Sequence, residues 1–197
     1  MPGGFDDQLW DEDLFDPMAF APIHSELRLA YPLLSNWLSI IRSDFADALT
    51  WAKAQNGYSG STPNIARHLE SVRVNDETET PVVALRVVSA DCIEQENSPL
   101  VEVVIEFDNF LMIGGTDPDD LSRAIDVYAL ALSEAWFSSD ETALLSGYAA
   151  GAQAVGGSMR QILGIGFGEN VTNDERIRKG QYKRTALLRM QTTFYCG

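Results

Sequence analysis

The stretch VVALRVVSADCI (Val82–Ile93), followed after a turn by LVEVVIEFDNFLMI (Leu100–Ile113), decides the fold. In its second half Val101, Val103, Ile105 and Phe107 alternate with Glu102, Val104, Glu106 and Asp108, the period of two expected of a strand with one buried and one wet face. The first half is apolar on both sides except at Arg86, Ser89 and Asp91, which predicts a central strand. Between them Glu94-Gln95-Glu96-Asn97-Ser98-Pro99 reads as a turn. The apolar phase shifts at Phe110–Ile113, which predicts a bulge near Asn109.

A second hairpin lies downstream, Gln161–Val171 with Gln181–Tyr195 around the charged loop Thr172–Gly180. Its last strand is the clearest in the chain. Tyr182, Arg184, Ala186, Leu188, Met190, Thr192, Phe194 and Cys196 share one face, and Lys183 to Tyr195 in the same step share the other. Between the hairpins Asp117-Pro118-Asp119-Asp120 is a helix start, with Asp117 as cap, Pro118 in the first turn and acids at the positive end of the dipole. Leu121, Ala124, Ile125, Tyr128, Leu132, Ala135 and Trp136 then form its buried stripe.

Upstream, Pro32 opens an amphipathic helix to about Gln55, with Tyr31, Leu34, Trp37, Leu38, Ile41, Phe45, Ala48, Leu49 and Ala52 on one stripe. Asn56-Gly57 ends it. The connector 64–80 has room for a short strand at His68–Val74, and the Ala/Gly-rich run from Ser138 to Ser158 reads equally as helix or loop. The expected architecture is α+β: an antiparallel sheet of about four main strands in two hairpins, with two helices on one face. Residues 24–197 form one domain and residues 1–23 an arm.

Charge is unevenly placed. The chain of 197 residues carries a net charge of −15, which opposes general affinity for nucleic acid. Asp6, Asp7, Asp11, Glu12, Asp13 and Asp16 precede the first basic residue, Arg28, and are interleaved with Phe5, Leu9, Trp10, Leu14, Phe15, Met18 and Phe20. Such an arm orders by docking, on its own domain or on a neighbour. Near the other end Arg176, Arg178, Lys179, Lys183, Arg184 and Arg189 crowd together. Acidic and basic ends on one chain suit contact with copies of itself or a charged partner.

No catalytic, cofactor or metal set emerges. His24 and His68 stand apart without partners at ligand spacing. No G-x-S-x-G elbow or phosphate loop is present, and Gly164-Ile165-Gly166-Phe167-Gly168 sits among strand formers rather than before a helix. Cys92 and Cys196, far apart in strands, read as reduced, packed thiols. Glu102, Glu106 and Asp108 share a strand face, which reads as solvated rather than as paired catalytic acids. No apolar run reaches membrane-spanning length, and the acidic start differs from a secretory leader, so the expectation is synthesis in a cytoplasm.

The order helix, hairpin, helix, hairpin, carried by PVVALRVVSADCIEQENSPLVEVVIEF, DPDDLSRAIDVYALALSEAW and RKGQYKRTALLRMQTTFY, resembles the tail-terminator and related neck proteins of tailed bacteriophages. The likeness covers roughly residues 30–196 and is architectural; the arm and the Ala/Gly-rich stretch are additions to it. It implies a structural virion protein, assembled in the host cytoplasm, that forms a ring, commonly a hexamer, between tail tube and neck or connector proteins. DNA would pass its channel without specific binding. On this reading Phe5, Trp10, Phe15, Asp11 and Asp13 of the arm meet Arg176, Arg178, Lys179, Lys183 and Arg184 of a neighbour, and Glu102, Glu106 and Asp108 are candidates for the channel wall. The rival readings are an acidic DNA mimic that blocks a host enzyme, a different neck or minor tail component, and a small enzyme with a dispersed site.

Overall fold

A computed structural model describes residues 25–63, 65–67, 80–94, 96, 100–148, 158–170 and 182–196. Helix α1 (Ser25–Asn56) is followed by β1 (Ala66–Arg67), β2 (Val82–Glu94), β3 (Val101–Gly115), α2 (Pro118–Ser138), the single turn α3 (Glu141–Leu144), β4 (Met159–Asn170) and β5 (Tyr182–Cys196). The sheet has the order β1-β2-β3-β5-β4; its four long strands are antiparallel, and β1 adds a parallel pair to the start of β2. Both long helices pack on one face, giving the α+β architecture that the alternating strands predict.

The core fills the space between helices and sheet. From β3 come Val103, Ile105, Phe107, Leu111 and Ile113, from β5 Ala186, Leu188, Met190 and Phe194, and α1 and α2 close over them with Trp37, Phe45, Tyr128, Leu132 and Trp136. Trp136 is central: its ring meets Trp37 edge-on at 5.2 Å and Phe107 edge-on at 5.5 Å.

Local chemistry fixes the helix ends as expected. Asp117 Oδ1 accepts the Asp119 and Asp120 amides at 2.9 and 3.3 Å, capping α2. At the end of α1, Gly57 takes a left-handed φ of 58°, and the Gly57 and Tyr58 amides donate back to Ala54 O and Lys53 O at 3.4 and 3.0 Å. No basic residue lies in the last turn of α2, so Arg160 of β4 serves instead: its Nη1 donates to Trp136 O at 2.7 Å and to Ser139 O at 2.9 Å.

Several expectations are corrected. α1 begins at Ser25, so Pro32 lies inside it rather than in its first turn, and Tyr31 is exposed rather than on the buried stripe. An internal proline disturbs the backbone ladder around it. Here the Tyr148 hydroxyl donates to Leu29 O and accepts from the Leu33 amide at 3.1 Å, bridging the turn that holds Pro32. Tyr148→Phe should therefore cost about 1 kcal/mol and speed hydrogen exchange at the Leu33 amide. Unchanged exchange there would contradict the bridge.

β3 carries no bulge at Asn109; it pairs with β5 without a break from Val101 to Gly115. Asn109 stays on the core face, fully buried, and its Oδ1 accepts the Trp37 indole N–H at 3.4 Å. The register shifts fall instead between Val87 and Ser89 in β2 and between Ile162 and Gly164 in β4. Among the described residues strand β2 is not central either, because β1 pairs only with Val82 and Val83 and no other described strand flanks its remainder. Cys92, near the end of β2, is exposed rather than packed. The run after Ser138 supplies α3, tied to α1 by Asn36 Nδ2 donating to Leu144 O and Ser146 O at 2.9 and 2.6 Å. The strand expected at His68–Val74 lies outside the described residues.

Candidate assembly surfaces

Among the described residues, two unlike edges of the sheet are open. Strand β4 bonds to β5 on one side, and on the other it has no partner among the described residues along its 12 residues. Its side chains Met159, Leu163, Ile165 and Phe167 are exposed, Phe167 to 57%. On the alternate positions a Cβ added at Gly164 or Gly166 would meet nothing within 4 Å, so the backbone of this edge is bare on one face. Leu187, beside Gly166 on β5, is exposed next to that bare strip. A long edge with exposed apolar side chains and no lysine or proline is one that soluble proteins ordinarily blunt; here the register shift between Ile162 and Gly164 is the one irregularity along it.

The opposite edge differs in chemistry. From Ala84 to Glu94, β2 has no described neighbour on its outer side. Val88 and Ile93 are exposed there, along with Asp91, Cys92 and Glu94, and Ser89 is half-buried.

The sheet face away from the helices carries an ion cluster. Arg86 Nη2 lies 2.6 Å from Asp108 Oδ2, and Arg189 donates through Nε to Asp108 Oδ1 at 2.8 Å and through Nη2 to Oδ2 at 3.2 Å. Arg189 Nε also lies 3.4 Å from Glu106 Oε1. Burial pushes the Asp108 carboxyl up, but the hydrogen bonds from Arg189 and Arg86, and their charges, outweigh it and hold the group below its ordinary value. Cross-strand register creates the cluster: Arg86, Asp108 and Arg189 are directly opposite one another on β2, β3 and β5.

The sequence-derived candidates are distributed as follows. Phe5, Trp10, Phe15, Asp11, Asp13, Arg176, Arg178 and Lys179 lie outside the described residues. Lys183 and Arg184 are partly exposed neighbours on β5 whose side chains take opposite faces, so they do not join in one patch. Glu102, Glu106 and Asp108 do share the face away from the helices, but it is not a uniformly solvated acidic face. Asp108 is buried to 2% exposure and neutralised by two arginines, and Glu102 and Glu106 are half-buried. The sequence reading passed over Arg86 and Arg189 as partners, because uninterrupted hairpin pairing would set Arg86 opposite Asn109, and only the register shift between Val87 and Ser89 brings it opposite Asp108. It also passed over the β4 edge, for which the alternation of glycine with Ile165 and Phe167 was the available signal.

Among the described residues no group of three or more His, Cys, Asp or Glu side chains could hold a metal ion, and no helix is long and apolar enough to cross a membrane. Comparison with known protein families found no match, and comparison with curated proteins found none.

Proposed function

We propose that the chain is a structural virion subunit of a tailed bacteriophage, a tail terminator that closes into a ring joining the tail tube to the neck. The observation that carries this reading is the pair of unlike edges, open among the described residues, on opposite sides of one sheet. A ring with rotational symmetry is built from heterologous contacts, in which each copy offers two different surfaces that complement each other. The apolar β4 edge of one copy against the Ala84–Glu94 edge of the next satisfies that requirement. Its bare glycines allow a neighbouring backbone to approach, and Ile165 and Phe167 supply apolar contact area.

The channel follows from closure. A net charge of −15 favours DNA passing rather than lodging, since retention would need exposed clusters of Lys and Arg facing the axis. Asp108 contributes no free charge to such a wall, because Arg86 and Arg189 occupy both of its oxygens. Tail tube and neck proteins are the partners this role requires.

Sedimentation velocity and negative-stain imaging of the purified protein, alone and with tail tubes, test the reading. The expected result is a closed ring in one of these states. Phe167→Asp should leave the circular dichroism spectrum unchanged, because the side chain is already in water, and abolish the ring. A ring that tolerates this change, or a monomer under both conditions, would overturn the proposal.

A further inference from the structure

The helix layer of this fold is offset from its sheet, toward the β2 edge. α1 packs over β2, while α2 lies over β3 and β5 and meets β4 at Arg160. Ile165 and Phe167 of β4 project on the helix side, opposite the core residues Leu188 and Ala186, yet both are exposed.

The two edge strands also share an irregularity, since each breaks its alternation once. On β2 the helix side is taken by Leu85 and Val87 before the register shift and by Ala90 and Cys92 after it, with Val88 as the extra residue. On β4 it is taken by Arg160 and Ile162 before the shift and by Ile165 and Phe167 after it, with Leu163 as the extra residue.

We propose that Met159–Gly168 of one copy pairs antiparallel with Ala84–Ile93 of the next, Ile165 opposite Val87, and that α1 of that neighbour closes over Ile165 and Phe167. This inference rests on the ring reading and specifies its joint.

Direction permits the pairing. β2, β3, β5 and β4 alternate in direction across the sheet, so β4 and β2 run oppositely. Copies turned about an axis along the strands therefore bring these edges together antiparallel, with their helices on the same face.

Phase selects the register. Two strands that each carry one extra residue keep their faces in step only where the extra residues meet. Setting Ile165 against Val87 achieves this: Phe167 then meets Leu85, Ile162 meets Ala90 and Arg160 meets Cys92, helix side to helix side. A slip of two residues one way puts Phe167 against Val83, which β1 already holds. A slip of two the other way sets Ile165 against Ser89, which belongs to the opposite face with its partner Glu106.

Chemistry agrees with phase. Exposed Met159 meets exposed Ile93, and the extra residues Leu163 and Val88, both exposed, become diagonal neighbours. Ile165 and Phe167 continue the row of Val87 and Leu85, which the neighbour's own core already includes, beneath the helix that packs on its β2. Gly166, with open space where a Cβ would stand, comes opposite Arg86 and leaves room for the guanidinium that reaches Asp108.

Single-cysteine chains in a Cys92→Ser/Cys196→Ser background test the register by disulfide formation under mild oxidation, alone and with tail tubes. Within one copy β3 and β5 separate β2 from β4 by about 14 Å, roughly twice the Cα reach of a disulfide, so every bond formed joins two copies. Met159→Cys mixed with Ile93→Cys, and Gln161→Cys mixed with Asp91→Cys, should each yield linked dimers on a non-reducing gel. The offset mixtures, Met159→Cys with Asp91→Cys and Gln161→Cys with Ile93→Cys, should yield none, because that offset holds the Cβ atoms about 7 Å apart. Negative-stain imaging of each unoxidised mixture reports the ring separately. Bonds in the offset mixtures, bonds in one variant alone, or no bonds in a mixture that forms rings overturn the register and leave the ring standing. The expected bonds without rings uphold the joint and reject closure, and a mixture with neither overturns both.

Discussion

Replacing Trp136 with Ala lowers the stability of the fold by about 3–5 kcal/mol, the cost typical of emptying a buried aromatic site. The side chain is fully buried between both helices and the sheet, and it joins Trp37 to Phe107 through two edge-on contacts. Removing it opens a void among three elements at once, and neighbours fixed by their own helices and strands refill little of it. In a domain of this size the melting temperature should fall by on the order of 10 °C. Trp136→Phe should cost much less. A phenyl ring preserves most of the contact, and the change deletes an indole N–H that has no hydrogen-bond partner among the described residues. Denaturant titration of the three proteins checks the order; equal losses for Ala and Phe would show that the ring contacts do not carry the energy.

The second large effect belongs to Asp108. Asp108→Ala leaves Arg86 and Arg189 facing each other across β3 without their shared carboxylate. Breaking a buried ion pair costs about 3–5 kcal/mol, but both arginines reach solvent, which screens part of the loss, so about 2–4 kcal/mol is expected. The pH dependence has a definite sign. Because the folded carboxyl titrates below its ordinary value, the unfolded chain binds that proton more readily. Its contribution is complete above the unfolded carboxylate value of about 3.9 and disappears as pH falls through the lower folded value. The stability gap between wild type and Asp108→Asn should therefore be constant near neutrality and shrink below about pH 4. A gap that widens in acid would refute the pairing.

The legibility of this chain varied with how local the determinant was. The Asp117-Pro118 cap, the α2 stripe and the alternation along Tyr182–Cys196 each depend on neighbours a few residues away, and each forms as read. Strand order depends on distant partners. The two-sided apolar character of β2 pointed to the centre of the sheet, whereas the strand lies next to an edge and Val82 and Ala84 are buried on the face away from the helices. The same burial at Met112 explains the apparent change of phase after Asn109 without a bulge. Charge counting located the acidic and basic ends but could not pair Asp108 with Arg189, which lies 81 residues away. The β4 edge was only half legible for the same reason: glycine alternating with Ile165 and Phe167 marks an unusual strand, but its place as the last described strand of the sheet depends on distant partners.

The hydroxyl that spans the proline turn sits 115 residues beyond the amide it receives. On a ribosome, therefore, the opening turns of the first helix must wait, incompletely satisfied, until just over three quarters of the polypeptide has been made. Translation halted before Tyr148 would yield a nascent chain whose front end is frayed however well its middle has formed.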